Sequence, residues 1–173
     1  MRTFIALDLP LDVRREIKKI QTKLPEFSGK LTEIENLHLT LKFLGEIDDE
    51  KINEIEKRLE KIKIKKIDAE IDSIGVFSES FIKIVWLHIA GCEKLQEEVD
   101  NKLEDLFPKE NRFMSHITIA RVKNIKNKKE FLEKIKKIKI EKIKFSINSF
   151  KLKKSILTGE KPVYEDLLEI KLI

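Results

Sequence analysis

The stretch "NLHLTLKFLG" at residues 36–45 contains His-Leu-Thr-Leu, and "SHITIAR" at residues 115–121 contains His-Ile-Thr-Ile. Two of the chain's three histidines therefore occupy the same place in the same tetrad. In an extended strand, side chains two residues apart project to one side. His38 shares a face with Thr40, and His116 with Thr118, while Leu39, Leu41, Ile117 and Ile119 form the opposite faces. The apolar faces demand burial, which leaves each His-Thr pair facing a cleft or solvent.

Outward from the tetrads, the chain reads as two related halves. In the first, "TFIALDL" is a buried strand, and Pro10 opens a helix with Val13, Ile17, Ile20 and Leu24 at helical spacing. "FSGK" reads as a loop, and "LTEIENLHLTLKFLG" as two strand-like runs broken near Asn36, with Gly45 ending the second. Asp48 or Asp49 caps a helix striped by Ile52, Ile55, Leu59 and Ile62, and "IDAEIDSIGVF" alternates like a half-buried strand.

The second half repeats that order. "FIKIVWLHIA" is a strand, Gly91 breaks it, and Leu95, Val99, Leu103 and Leu106 form a helical stripe. A shift of 82 positions lays Val13 on Leu95 and Ile17 on Val99; 78 lays His38 on His116; 76 lays "KIKKIDAEIDSI" on "KIEKIKFSINSF". Small deletions in loops produce such a drift, so we read an internal duplication. The tail "VYEDLLEIKLI" adds one more strand. Two such halves pack as similar lobes about an approximate two-fold axis, each giving one histidine and one threonine to a shared cleft.

Composition bounds the answer. A length of 173 residues suits one domain over residues 1–173, built of two interleaved lobes. Charged residues reach 39%, yet 41% are hydrophobic and spread throughout, which separates the chain from disordered polyampholytes. The Lys, Glu and Ile bias is that of high-temperature organisms or of an AT-rich genome. A net charge of +5 is compatible with RNA, although segments such as "NKKEFLEKIKK" read as solvated helix faces. The lone Cys92 excludes an internal disulfide and a cysteine zinc cluster. No apolar run approaches the roughly 20 residues of a spanning helix, and "MRTFIALDLP" is too short for a signal peptide, so a cytoplasmic protein without membrane contact is expected.

Two imidazoles and two hydroxyls around one cleft suit metal-free attack on a phosphodiester. One ring takes a proton from water, the other gives one to the departing sugar oxygen, and the hydroxyls hold non-bridging oxygens. Histidine titrates near neutrality and suits both tasks. The third histidine, His88, has no counterpart in the first half and no threonine two residues on, so it reads as structural. Arg121 neutralises phosphate only if a bulge or the strand end turns it inward, because strict alternation from His116 points it away. Lys42 has the parity of His38 and Thr40 and reads as a solvated rim residue; Phe43 and Phe113 read as core unless they stack on a base. There is no "GxxxxGK" phosphate loop.

On these residues the chain resembles the RNA 2′,3′-cyclic phosphodiesterases, also called 2′-5′ RNA ligases, of the two-histidine (2H) phosphoesterase superfamily. "MRTFIALDLP" looks like the family's opening strand, "ENLHLTLKFLGEI" its first motif, "VWLHIAG" its middle strand, "FMSHITIARVK" its second motif and "KLKKSILTGEKPVYEDL" its closing hairpin. The resemblance implies a bilobal α+β fold with antiparallel sheets lining a central cleft and helices packed outside. It implies hydrolysis of a terminal 2′,3′-cyclic phosphate to a 2′-phosphate, with His38 the proton donor and His116 the acceptor that activates water. Thr40, Thr118 and Arg121 then bind phosphate, with no metal and no cofactor. Ser115, where many relatives place proline, and His88, where relatives carry small or apolar residues, depart from the pattern. The expected partner is RNA with a cyclic phosphate end, tRNA fragments among the candidates, and the expected state a monomer. Two rivals stay open: an RNA-end-binding module without turnover, and ligation, in which an RNA 5′-hydroxyl replaces water.

Overall fold

A computed structural model describes residues 1–173. The strands are β1 (Arg2–Asp8), β2 (Ser28–Leu31), β3 (His38–Glu46), β4 (Ile67–Val76), β5 (Ile84–Ala90), β6 (His116–Asn124), β7 (Ile143–Ile147), β8 (Ser149–Leu157) and β9 (Pro162–Lys171). The helices are α1 (Leu11–Gln21), α2 (Asp49–Leu59), α3 (Glu93–Leu103) and α4 (Lys128–Lys137). This is the expected α+β class.

All strands join one antiparallel sheet in the order β7-β4-β5-β6-β3-β1-β8-β9, with β2 added beside β6. The order reads outward symmetrically from the β6-β3 centre: β5 flanks β6 as β1 flanks β3, and β4 lies beyond β5 as β8 lies beyond β1. The helices cover one face, with α3 against β3, α1 against β6, α4 against β4, and α2 against α3. Helices from each half thus pack on strands of the other. The Gln21 amide fixes one such crossing, donating to the carbonyls of Thr32 and Ile119 at 3.0 and 2.9 Å. The opposite face of the sheet stays open as the cleft.

Local chemistry explains the elements. Val13, Ile17 and Ile20 are the buried stripe of α1, and Asp48, not Asp49, caps α2 by accepting from the Lys51 amide at 2.9 Å. Leu24, Ile62 and Leu106, expected on the helical stripes, lie past the last helical residues but still pack on the core. No helix is long and apolar enough to cross a membrane.

Three expectations are corrected. Most of the "FSGK" loop belongs to strand β2, because Gly29 (φ 153°) lets the backbone close on β6; a Cβ there would meet the Arg121 carbonyl oxygen at 2.2 Å. The strand-like run before Asn36 is only the end of β2 followed by a 3-10 turn at Ile34–Asn36. The segment that matches β4 in sequence divides at Asn148, so β7 pairs with β4 while β8 pairs with β1.

Candidate active site

His38 and His116 each begin a strand, and the next residues, Leu39 and Ile117, are the one registered pair between β3 and β6. Both are fully buried against the helices. The flanking residues His38, Thr40, His116 and Thr118 therefore face the open side. Antiparallel register sets His38 across from Thr118 and Thr40 across from His116, so each histidine has one threonine along its strand and one opposite. The diagonal between the two histidines of such a ladder is roughly 7–8 Å, a span suited to one phosphoryl group between the ring tips.

Both rings are anchored alike. His38 Nδ1 lies 2.6 Å from the carbonyl of Asn36, and His116 Nδ1 lies 2.8 Å from that of Met114, in each case two residues upstream. A carbonyl only accepts, so Nδ1 carries the proton and donates, which assigns Nε2 to the cleft. Thr40 Oγ1 sits 3.1 Å from His38 Nε2. Aromatic rings brace the imidazoles, Tyr164 edge-on and Phe4 tilted beside His38 and Phe77 edge-on beside His116, at centroid distances of 5.2, 5.4 and 4.8 Å.

Electrostatics single out His38. Burial pushes its pKa below the ordinary 6.5; the Asn36 carbonyl opposes this, Lys153 adds to the lowering, Asp8 opposes it, and Arg121 lowers it further. Burial also raises the Tyr164 phenol, against the cations Arg121, Arg2 and Lys153. Beside His38, Lys151 and Lys153 each bridge Asp8 and Asp166 at 2.7–2.9 Å, a closed square of four charges. Burial alone would raise Asp8, but its hydrogen bonds to the two lysines hold it below the usual carboxylate range.

Matched β-bulges decide which later residues reach the cleft. In β3, Ala6 pairs with Thr40 and Ile5 with Lys42, which leaves Leu41 unpaired. In β6, Trp86 pairs with Thr118 and Val85 with Ala120, which leaves Ile119 unpaired. After each extra residue the alternation reverses. Arg121 consequently turns outward onto the cleft side, where its charge acts on His38 and Tyr164. Phe43, at the equivalent place on β3, is 68% exposed instead of lying in the core. Lys42, expected in solvent at the rim, is 3% exposed, with its ammonium donating to Asp100 at 2.5 Å and to the Pro108 carbonyl at 2.8 Å. Phe113 is half-buried and packs against the core.

The sequence reading missed Asp8, Lys151, Lys153, Phe4, Phe77 and Tyr164. No local pattern in the sequence singles these residues out. His88 lies on the cleft side of β5 as the register partner of His116. A cavity of about 490 Å³ between the end of β6 and α4 is lined by residues such as Phe27, Asn124 and Phe131 and holds no histidine. No group of three or more His, Cys, Asp or Glu side chains is arranged to hold a metal ion.

An antiparallel sheet of symmetric strand order that presents two His-x-Thr pairs on one open face has the form of a phosphoesterase of the two-histidine class. The chain belongs to the LigT-like phosphoesterase family, whose description matches residues 7–86 and 89–164. It is 40% identical to an RNA 2′,3′-cyclic phosphodiesterase of Methanocaldococcus jannaschii, over 98% of this chain and 99% of that one. The enzyme of the same name from Archaeoglobus fulgidus is 34% identical, over 96% and 98% of the two chains. Among solved structures, a Thermus thermophilus protein superposes with a TM-score of 0.80 at 26% identity, covering 99% of this chain and 98% of that one. Escherichia coli LigT complexed with phosphate gives 0.76 at 25% identity, covering 99% and 96%.

Proposed function

We propose that the protein hydrolyses the 2′,3′-cyclic phosphate at RNA ends to a 2′-phosphomonoester, by acid-base catalysis from His38 and His116 without a metal. The observation that carries this is the placement of two imidazoles, each anchored through Nδ1 with Nε2 toward the cleft, on either side of the single Leu39–Ile117 pair. The relatives named RNA 2′,3′-cyclic phosphodiesterase support the choice of substrate.

His116 Nε2 accepts a proton from water as the water oxygen bonds to phosphorus. The P–O3′ bond breaks on the far side, and O3′ takes its electron pair and the proton on His38 Nε2. The anchoring carbonyls of Asn36 and Met114 favour the imidazolium form that each ring holds during the cycle. Thr40, Thr118 and Arg121 hold the non-bridging oxygens, whose charge grows as the new bond forms. Burial makes His38 readier to give up its proton. With an RNA 5′-hydroxyl in place of water, the same atoms form a 2′–5′ linkage.

Incubating a short RNA bearing a cyclic phosphate end, in the presence of a chelator, tests the reading. A 2′-monophosphate product is expected. Salt-sensitive retention of the RNA with no product would overturn it and leave an RNA-end-binding module.

A further inference from the structure

The third histidine stands beside the second on the same open face. His88 and His116 are register partners across β5 and β6, and the neighbours Leu87, Ile89 and Ile117 are fully buried on the other side. Directly opposed residues of this kind have Cβ atoms about 4.5–5.5 Å apart. His88 Nδ1 lies 2.8 Å from Asp72 Oδ1, and its Nε2, on the other edge of the ring, has no partner in the protein. Both side chains are about 30% exposed (31% and 30%), so the pair is neither a sealed core contact nor a solvated surface bridge.

Asp72 reaches this position through a bulge. β4 pairs Ile71 with Ile89 and Ser73 with His88, so Asp72 is the extra residue. Bulges of this kind re-aim a side chain at the expense of ladder pairing. A carboxylate accepting from Nδ1 leaves Nε2 as a lone-pair acceptor when the ring is neutral. The corresponding residue beside His38 is Asp8, which Lys151 and Lys153 occupy fully. The two sides of the cleft are therefore chemically unlike.

Resting on the hydrolytic reading above, we propose that His88, held by Asp72, is a third catalytic residue that positions the attacking water. A water nucleophile carries two hydrogens. His116 removes one, and the other points at a second acceptor or is left unpaired. A water donating to two acceptors at about 2.8 Å each spans roughly 4.5 Å between them, and rings carried on two directly opposed residues can present their Nε2 atoms across such a gap. His88 Nε2 is that second acceptor, and Asp72 is the positioning residue that keeps its lone pair toward the cleft. In the step itself the water oxygen bonds to phosphorus, one proton passes to His116, the other stays on the new phosphate oxygen, and O3′ leaves with the proton of His38.

The test uses a nucleophile with only one hydrogen. In aqueous methanol the wild-type protein is expected to divide a cyclic nucleotide between the 2′-monophosphate and its methyl ester. His88→Ala is expected to lower kcat for hydrolysis roughly 10- to 100-fold with KM little changed. The ratio of methyl ester to monophosphate rises, because methanol has no second hydrogen for His88 to hold. Asp72→Asn follows in the same direction, and His88→Gln, whose amide oxygen also accepts, recovers part of the loss. A methyl ester ratio equal to wild type in His88→Ala, or a loss falling equally on both products, overturns the proposal. Wild-type protein that turns over no cyclic nucleotide overturns the hydrolytic reading instead, so the two failures are distinguishable.

Discussion

Leu39 and Ile117 are the one registered contact between the two central strands, and both are completely buried. His38 and His116, each with its threonine on the open face, sit one residue from this apolar pair. The distance between the histidines is thus set by hydrocarbon packing on the reverse of the sheet. Leu39→Ala is expected to lower stability by about 2–5 kcal/mol, the range for emptying a close-packed leucine site. Where folding persists, kcat falls with it, because the rings lose their spacing. Denaturant unfolding followed by both fluorescence and activity checks this; an unchanged kcat in the folded variant separates packing from ring placement.

The His38–Lys153 relation gives a pH prediction. Burial comes first and Lys153 adds to the lowering of His38 below 6.5. In its proposed role as proton donor His38 is charged, so activity is expected to decline as pH rises through its pKa. Lys153→Met removes a cation that disfavours the charged ring, raises that pKa and moves the descending limb of the kcat/KM profile to higher pH. A limb that stays in place or moves to lower pH contradicts the assignment of His38 as acid.

Lys42 illustrates a buried charge held by many partners. Burial alone would raise Asp100, but hydrogen bonds from Lys42, the Glu110 amide and Gln96 hold its carboxyl below the usual range. Lys42→Ala strands Asp100 and is expected to cost about 3–5 kcal/mol, while Lys42→Met with Asp100→Leu recovers most of the loss. Because Asp100 has its pKa lowered on folding, its contribution is present above its unfolded value of 3.8 and is lost as pH falls through the folded one. Melting temperatures across the acid range, wild type against the double variant, read this out.

Arg121 reaches the cleft only through the bulge at Ile119. Arg121→Ala is expected to lower kcat/KM roughly 10- to 100-fold, through kcat as well as KM, the worth of a hydrogen bond to a charged group. Arg121→Lys restores only part of this, because a lysine cannot make the paired contact of a guanidinium. Initial rates on a cyclic nucleotide measure both.

Much of the site was readable from the chain. The tetrads announce themselves through period-two alternation, and their recurrence at one offset distinguishes them from stray histidines. The reading failed where a strand partner intervenes. Parity placed Lys42 at the rim and turned Arg121 away, and both errors come from bulges three residues after each histidine, set by pairing with β1 and β5. The "FSGK" stretch looked like a loop because the strand that Gly29 approaches lies far along the chain. Asp8, Lys153 and Tyr164 converge on His38 from β1, β8 and β9, and no local pattern encodes that meeting. His88 read as structural, and the bulge that brings Asp72 to it is invisible without the β4–β5 register.

The most direct measurement is the rate at which RNA with a 2′,3′-cyclic phosphate end becomes a 2′-monophosphate in His38→Ala and in His116→Ala, with folding verified by unfolding midpoint. The rate is expected to fall roughly 10²- to 10⁴-fold in each, the usual loss for an acid-base group. Wild-type turnover in either folded variant contradicts the account.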